Sequence, residues 1–325
     1  MKVFVTGGAG YIGSHVVYEL CDNGYDVTIY DDLSLGRKEN IDKRAKFVLG
    51  STLDSRQLTK ALNNQNFNAV IHLAAWKAAG ESMVKPEKYA KNNIIGSMNL
   101  INAVIDADIK NFVFSSTAAV YGSPKYFPMD ENHPINPENY YGYTKVFVEE
   151  NLKWYSLLKG LNYAALRYFN AAGYDVKGRI NGKEKNPNNL LPIIMETACG
   201  MRDKFQVYGN DYDTIDGTGV RDYIHVNDLA TAHVLALKYL VEEKKNLIVN
   251  LSTANGYSVL EAIEKAKEIT GKDIQYQIVG RRDGDPDTVV ASFAKANKIL
   301  NWEAKYSDLE TILNSMWNIY KDSNK

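Results

Sequence analysis

The opening stretch Met1–Asp32 constrains this chain more than any other. Lys2–Thr6 is a short apolar run that reads as a strand, and it enters the GxxGxxG turn Gly7-Gly8-Ala9-Gly10-Tyr11-Ile12-Gly13. Ile12, Val16, Val17 and Leu20 then share one helical face, with Asn23-Gly24 as the stop. A second apolar run, Asp26–Tyr30, ends in Asp31-Asp32. Strand, glycine turn, helix, strand is one βαβ unit of a dinucleotide-binding fold. Gly7 permits the tight turn, Gly10 admits a pyrophosphate to the backbone, and Gly13 brings the helix close to the sheet. The helix N-terminus offers free N–H groups and a positive dipole end to phosphate. Asp31 closes the second strand, where a carboxylate accepts hydrogen bonds from an adenosine ribose and repels a 2′-phosphate. NAD is therefore favoured over NADP.

The alternation continues. Strands are expected at Lys46–Leu49, Ala69–Leu73, Asn111–Ser115 and Tyr163–Phe169, and helices at Leu53–Leu62, Pro86–Ala107 and Tyr141–Leu158. This order predicts an α/β fold, a Rossmann-type doubly wound parallel sheet covered on both faces. After Ala171 the rhythm breaks. The polar stretch Tyr174–Asn189 reads as a loop over a ligand site. Helices are expected at Leu190–Cys199, Val226–Tyr239, Ser258–Thr270 and Leu309–Tyr320, the third opened by the capping box Ser258-Val259-Leu260-Glu261. Short strands are expected at Phe205–Tyr208, Val220–Ile224, Leu247–Leu251 and Ile274–Val279. The division is thus 1–172 for the dinucleotide domain, with some later segments returning to it, and 173–325 for a smaller, mixed α/β substrate lobe at the carboxyl edge of the sheet.

Composition narrows the class. A net charge of −1 gives no argument for nucleic acid or an anionic membrane surface. No apolar window of ~18 residues suggests a membrane span, and no signal peptide is expected. Cys21 and Cys199 each sit in a helical pattern, which suits reduced thiols and a cytoplasmic location. His15, His72, His133, His225 and His233 are scattered and make no metal-ligand spacing.

The chemistry rests on YxxxK, whose spacing stacks a phenol and an ammonium on one helical face. Three pairs match: Tyr121/Lys125, Tyr141/Lys145 and Tyr155/Lys159. Pro124 interrupts the first, and the third lies ~21 Å further along the second's helix at ~1.5 Å per residue. Tyr141/Lys145 is the expected pair. The ammonium lowers a tyrosine pKa from its usual ~10. A base working near pH 7 needs ~4 kcal/mol from Lys145 and a bound NAD⁺ together. The strand Asn111–Ser115 delivers Ser116-Thr117-Ala118-Ala119 to the same edge, where a hydroxyl can bond both substrate oxygen and tyrosine.

The segments GGAGYIGSHV, KAAGES, KPEKYAKNN, FSSTAAVYG, YYGYTK, LRYFNAAG, NNLLP, YGNDYDTIDGTGVRDYIHV and GRRDGDP run nearly end to end. Together they resemble the UDP-glucose (UDP-galactose) 4-epimerase family of the extended short-chain dehydrogenases/reductases. The resemblance implies reversible epimerisation of UDP-galactose and UDP-glucose at C4 through a transient 4-keto sugar, with tightly bound NAD. Tyr141, Lys145 and Thr117 take the catalytic positions. For NAD it implies Gly7, Gly10, Tyr11, Ile12, Gly13, Asp31, Asp32, Leu33, Ser34 and Gly36. To these it adds Ser51, Thr52, Leu73, Ala74, Ala75, Lys77, Asn92, Ser115, Tyr141, Lys145 and Tyr168. For the UDP-sugar it implies Lys77, Thr117, Tyr141, Asn170, Asn189, Leu190, Tyr208, Arg221, Tyr223, Arg282, Asp285 and Val289. Arg221 and Arg282 suit a diphosphate and Asp285 a ribose hydroxyl. A homodimer built on the two long helices is expected, and no metal.

Two positions depart from the family's pattern. Ser51 stands where many members carry Asp toward the adenine amine. Val289 stands at a gatekeeper position where a bulky residue excludes N-acetylated sugars in some members, so UDP-N-acetylglucosamine and UDP-N-acetylgalactosamine are further candidate substrates. A 4,6-dehydratase needs Asp-Glu directly after the strand-end Thr, and here Ala118-Ala119 follow. An epimerase for another UDP-sugar such as UDP-glucuronate, and a non-catalytic NAD-sensing regulator, are the remaining alternatives. The regulator is disfavoured because the chain keeps both the Tyr/Lys pair and the second lobe.

Overall fold

The computed structural model describes residues 1–63, 65–185, 187–282 and 285–322. Its centre is a seven-stranded sheet. Six strands come from the first half: β1 (Lys2–Thr6), β2 (Asp26–Asp31), β3 (Lys46–Leu49), β4 (Ala69–His72), β5 (Asn111–Ser115) and β6 (Asn162–Tyr168). The second half supplies β7 (Asn170–Ala172), β8 (Phe205–Tyr208), β9 (Val220–Arg221), β10 (Tyr223–His225), β11 (Leu247–Leu251), β12 (Tyr257–Ser258), β13 (Tyr276–Val279) and β14 (Thr288–Val289). The sheet order is β11-β6-β5-β4-β1-β2-β3, and every pairing within it is parallel. Strand order reverses between β1 and β4, which opens a crevice at their carboxyl ends.

The helices are α1 (Tyr11–Asp22), α2 (Ser55–Leu62), α3 (Ala79–Val84), α4 (Pro86–Tyr89), α5 (Gly96–Asp106), α6 (Tyr140–Lys159), α7 (Leu190–Ala198), α8 (Val226–Glu243), α9 (Val259–Thr270), α10 (Ala294–Leu300) and α11 (Leu309–Tyr320). Alternate residues along the strands feed two cores. Val3, Val5, Ile29, Ile71 and Val113 pack with Val16, Val17 and Leu20 of α1 and Leu229 and Leu237 of α8. Phe4, Tyr30, Val70, Phe112 and Phe114 pack on the other face with α2, α5 and α6. A third core joins α7, α9 and α11 in the second lobe. α8 and β11 lie against the first core and sheet, so the chain returns to the main sheet after residue 172.

Several elements differ from the sequence expectation. Pro86–Ala107 is three pieces: α4, a wide π-type turn over Ala90–Ile95, and α5. The wide turn lets Asn93 clamp the Trp76 backbone, accepting from its N–H and donating to its carbonyl, both at 2.9 Å. Val220–Ile224 is split at Asp222 into β9 and β10, which join different sheets. The buried Asp222 carboxylate is tied to Ser252 and Thr253 there. α2 starts at Ser55 because Asp54 caps it, accepting from the Gln57 N–H. The capping box at Ser258 and Glu261 forms.

Candidate active site

The crevice is built first by the glycine turn. A Cβ on Gly13 would stand 2.0 Å from the Gly7 carbonyl oxygen, so only glycine lets α1 start this close to the strand. A Cβ on Gly10 would meet only that same oxygen, at 3.2 Å, within 4 Å; the space above it is open. At the end of β2, Asp31 is buried. Its Oδ2 accepts from the Ala9 N–H at 3.0 Å and its Oδ1 from the Leu33 N–H at 2.8 Å. Burial pushes its pKa up, and those two N–H groups oppose the rise.

One pocket gathers most of the expected cofactor residues. Gly7, Gly10, Tyr11, Ile12 and Gly13 line it, with Asp31, Asp32, Ser34 and Gly36 after β2 and Ser51 and Thr52 after β3. Leu73, Ala74, Ala75 and Lys77 follow β4, and Asn92, Ser115, Tyr141, Lys145 and Tyr168 complete the wall. Leu33 is the exception. It does not line the pocket; its backbone N–H orients Asp31 instead, from a left-handed φ of 60°. Ser51 lines the wall, while its hydroxyl is turned to the Leu53 N–H at 3.4 Å and its carbonyl accepts from Tyr30.

The structure adds residues the sequence did not single out: Tyr30, Leu35, Arg37, Asn40, Gly50, Trp76 and the segment Lys183-Glu184-Lys185. That segment belongs to the polar loop expected to cover a ligand site. It is strapped down by reciprocal bonds between Asn40 and Gly182, by the Arg37 guanidinium on the Lys183 carbonyl, and by a Lys77–Glu184 ion pair. The loop's composition was a usable signal, but which of its lysines enters the wall depends on folding across some 140 residues.

The candidate catalytic group stands at the start of α6. Asn139 caps this helix, accepting from the Gly142 N–H at 2.8 Å, and the Tyr141 N–H donates to Ser82 Oγ at 3.0 Å. Thr117, just beyond β5, accepts from the Ala119 N–H at 3.2 Å through its hydroxyl, and that hydroxyl pulls the Tyr141 pKa down. Lys145, one turn further on, donates from Nζ to the Ser115 carbonyl at 2.8 Å, and Nζ lies 5.8 Å from the Tyr141 ring centroid. Ser115 and Tyr168 share a hydroxyl–hydroxyl bond beside it. In the chain alone burial outweighs the ammonium. Tyr141 is pushed up to about 12, against the pull of the Thr117 hydroxyl, and Lys145 is pushed down to about 7. The lowering of Tyr141 expected from Lys145 and bound NAD⁺ together has to overcome this burial. The two competing YxxxK pairs lie elsewhere: Tyr121 bonds Asn250 at 2.6 Å in a buried network, and Tyr155 bonds Asn102 at 2.5 Å on the surface.

Of the expected UDP-sugar residues, Lys77 and Tyr141 line that pocket; the others lie outside its wall, most of them in the second lobe. Asn170 on β7 pairs in register with Tyr223 on β10 and donates to the Asp222 carbonyl. Arg221 on β9 pairs in register with Val289 on β14 and makes a 2.5 Å ion pair with Asp285. Asp285, expected for a ribose hydroxyl, thus holds a guanidinium in this structure. The Arg282 guanidinium stacks 3.8 Å over the Tyr208 ring. Asn189 immediately precedes α7 without a side-chain cap bond, and Leu190 opens the helix. Among the described residues no group of three or more His, Cys, Asp or Glu could hold a metal ion.

Comparison with known proteins places this geometry. Residues 3–252 match the NAD dependent epimerase/dehydratase family. The UDP-glucose 4-epimerase of Lactobacillus helveticus is 44% identical, over 100% of this chain and 98% of that protein. The crystal structure of UDP-glucose 4-epimerase from Brucella ovis in complex with NAD superposes with a TM-score of 0.96 at 41% identity, covering 98% of each chain. That from Bifidobacterium longum in complex with NAD⁺ and UDP gives 0.92 at 36% identity, covering 100% of this chain and 99% of that one. The chain belongs to the NAD dependent epimerase/dehydratase family, among its UDP-glucose 4-epimerases.

Proposed function

We propose that this protein interconverts UDP-galactose and UDP-glucose by inverting C4. The observation that carries the reading is Tyr141 and Lys145 side by side on the crevice wall, one helical turn apart at the start of α6, with the Lys145 ammonium held on the Ser115 carbonyl at 2.8 Å. The crevice fits NAD. Its backbone is open above Gly10, and its wall runs from Asp31 on β2 to Ser115 on β5. Those strand ends are three steps apart, ~14 Å at ~4.8 Å per strand, the scale of an extended dinucleotide. The glycine turn and the start of α1 would hold the pyrophosphate, Asp31 the adenosine ribose, and Tyr141, Lys145 and Tyr168 the nicotinamide end. When bound, NAD supplies the hydride acceptor for C4 and the donor for its return.

The chain's own residues do the rest. Tyr141 takes the proton of the sugar 4-hydroxyl, and Thr117 holds both oxygens through its hydroxyl. Lys145 and its positive charge favour the phenolate over the phenol. The 4-keto sugar turns about its diphosphate link while the second lobe keeps the nucleotide, and Tyr141 returns the proton to the other epimer. Arg221 and Arg282 are placed for the diphosphate, and Asn170, Asn189, Leu190, Tyr208, Tyr223 and Asp285 for the rest of the UDP. In this division residues 1–172 carry NAD and 173–325 predominantly the UDP-sugar. Val289 beside Arg221 leaves room for an N-acetyl group, which extends the reading to UDP-N-acetylglucosamine.

The assembly we propose is a homodimer. Met83 and Val84 of α3, Ile95, and Tyr143, Trp154, Leu157 and Leu158 of α6 are exposed large apolar residues, and helices placed like these pair across a four-helix seam. Cys21 and Cys199 are not joined in a disulfide, which supports the cytoplasm as the compartment. Among the described residues no helix is long and apolar enough to cross a membrane.

The test is direct. Purified protein is incubated with UDP-galactose, then separately with UDP-glucose, with no added reductant. One product ratio reached from both sides is the expected result. No conversion by a folded protein that has NAD bound refutes the reading and redirects the search to uronate sugars or to a regulator.

A further inference from the structure

Tyr141, Lys145 and Glu149 follow one another at one-turn intervals along α6. The third member plays no part in the chemistry above, yet it is the most constrained of the three. Glu149 and its partner Arg167 keep side-chain exposures of 3% and 4%, so the pair sits essentially out of water. Glu149 Oε2 accepts from Arg167 Nη2 at 2.5 Å, and Oε1 accepts from Arg167 Nε at 3.0 Å. Oε1 also accepts from the Ser116 hydroxyl, at 2.5 Å. Arg167 spends its remaining reach on the Tyr121 hydroxyl at 3.0 Å, and Tyr121 donates to Asn250 on β11 at 2.6 Å. Arg167 lies on β6 and Asn250 on β11, so the carboxylate is anchored to two strands of the main sheet.

Ser116 is the informative contact. It lies between Ser115, whose carbonyl receives Lys145, and Thr117, whose hydroxyl the proposed reaction uses beside Tyr141. Its N–H still bonds the Leu166 carbonyl as a continuation of the sheet. Successive residues of an extended segment face opposite ways, so Ser115 and Thr117 serve one side and Ser116 the other. A buried ion pair is weak support for stability, since apolar residues of the same volume do as well. Here it carries geometry.

We propose that Glu149 is a positioning residue: held by Arg167, it ties the turn bearing Thr117 to the helix bearing Tyr141 and Lys145, through Ser116. The inference rests on the 4-epimerase reading for the identity of the reacting atoms. Its charge also acts on Lys145, where Glu149 opposes the lowering caused by burial. The other groups facing Lys145 are Tyr141 on α6, His72 on β4, which burial keeps neutral by pushing it down to about 3, and the Ser115–Tyr168 hydroxyl pair. Apart from Tyr141 when it acts as the base, none of them supplies a second negative charge at neutral pH.

Two variants of the full-length, NAD-containing protein test it. Ser116→Ala cuts the tie and leaves the ion pair intact. Glu149→Gln/Arg167→Met removes both charges together, so no lone charge stays buried. Ser116→Ala is expected to lower kcat about tenfold with KM nearly unchanged, because misplacement of a catalytic group costs rate and not binding. The double variant is expected to lose at least as much. In addition, the alkaline limb of its kcat profile, which follows loss of the Lys145 proton, moves to lower pH. The same displacement is expected in the Lys145 titration followed by NMR of labelled lysine side chains, without substrate. Wild-type kcat in Ser116→Ala, or an unmoved Lys145 titration in the folded double variant, overturns the proposal. If wild-type protein does not epimerise UDP-galactose, the assigned reaction fails, and the NMR titration alone decides the role of Glu149.

Discussion

Replacing Lys145 by methionine removes the positive charge beside Tyr141 at nearly constant volume. The Lys145 ammonium lies 5.8 Å from the Tyr141 ring centroid. At an effective dielectric of about 20, a phenolate and an ammonium at that separation attract by ~3 kcal/mol, which is ~2 pKa units. Tyr141 already stands at about 12 in the chain alone. A proton acceptor near pH 7 therefore needs ~7 kcal/mol from its surroundings at ~1.4 kcal/mol per unit. Lys145 supplies under half of that, and the rest falls to bound NAD⁺. The expected result for Lys145→Met is a kcat about tenfold lower at pH 8 and about 100-fold lower at pH 6, with the rising limb of the pH profile displaced upward by ~2 units. The assay is UDP-galactose conversion from pH 6 to pH 10, on protein whose NAD content has been measured. A variant that keeps NAD and more than about a third of wild-type kcat at pH 8 refutes the electrostatic argument. So does an unshifted limb.

Three further outcomes are expected. Arg221→Met removes the guanidinium that Asp285 holds at the proposed UDP site and should raise KM for UDP-galactose at least about tenfold with kcat little changed; an equal fall in kcat at unchanged KM contradicts a binding role. Val289→Tyr should abolish turnover of UDP-N-acetylglucosamine while sparing UDP-galactose, and parallel loss of both sugars contradicts the gatekeeper role. Acid should destabilise the protein through buried neutral histidines, with His72 held at about 3 and His15 and His233 at about 4 by burial. The unfolded chain binds more protons below about 6.5, so this stability is complete above that value and is lost as pH falls toward about 3. For His72 the loss reaches ~2 kcal/mol by pH 5. Urea titrations at pH 7.5 and pH 5 should show a lower midpoint at pH 5, less so in His72→Asn, and equal midpoints exclude the effect.

Local pattern carried far into this protein. The glycine turn, the apolar face of α1 and the acidic end of β2 are neighbours in sequence, so their joint geometry follows from backbone sterics and helix period alone. The same holds for Tyr141 and Lys145, one helical turn apart, and for the capping box at Ser258. Parallel strands joined by helices also left little choice about where a ligand would sit.

Tertiary packing decided the rest, wherever partners are distant in the chain and the environment sets the chemistry. Leu33 reads as a cofactor residue, and folding adds that its N–H orients Asp31 and its carbonyl holds Lys185. Val220–Ile224 reads as one strand, yet the buried Asp222, tied to Ser252 and Thr253, breaks it in two. Lys183–Lys185 enters the pocket only because Asn40 and Arg37 hold its loop down. Lys145 next to Tyr141 reads as an acidified tyrosine, yet desolvation of both groups moves each pKa the other way. The tie from Glu149 through Ser116 to the Thr117 turn has no sequence signature. Periodicity reports which residues share a face within one element; it carries no record of which faces, charges and loops from different elements are buried together.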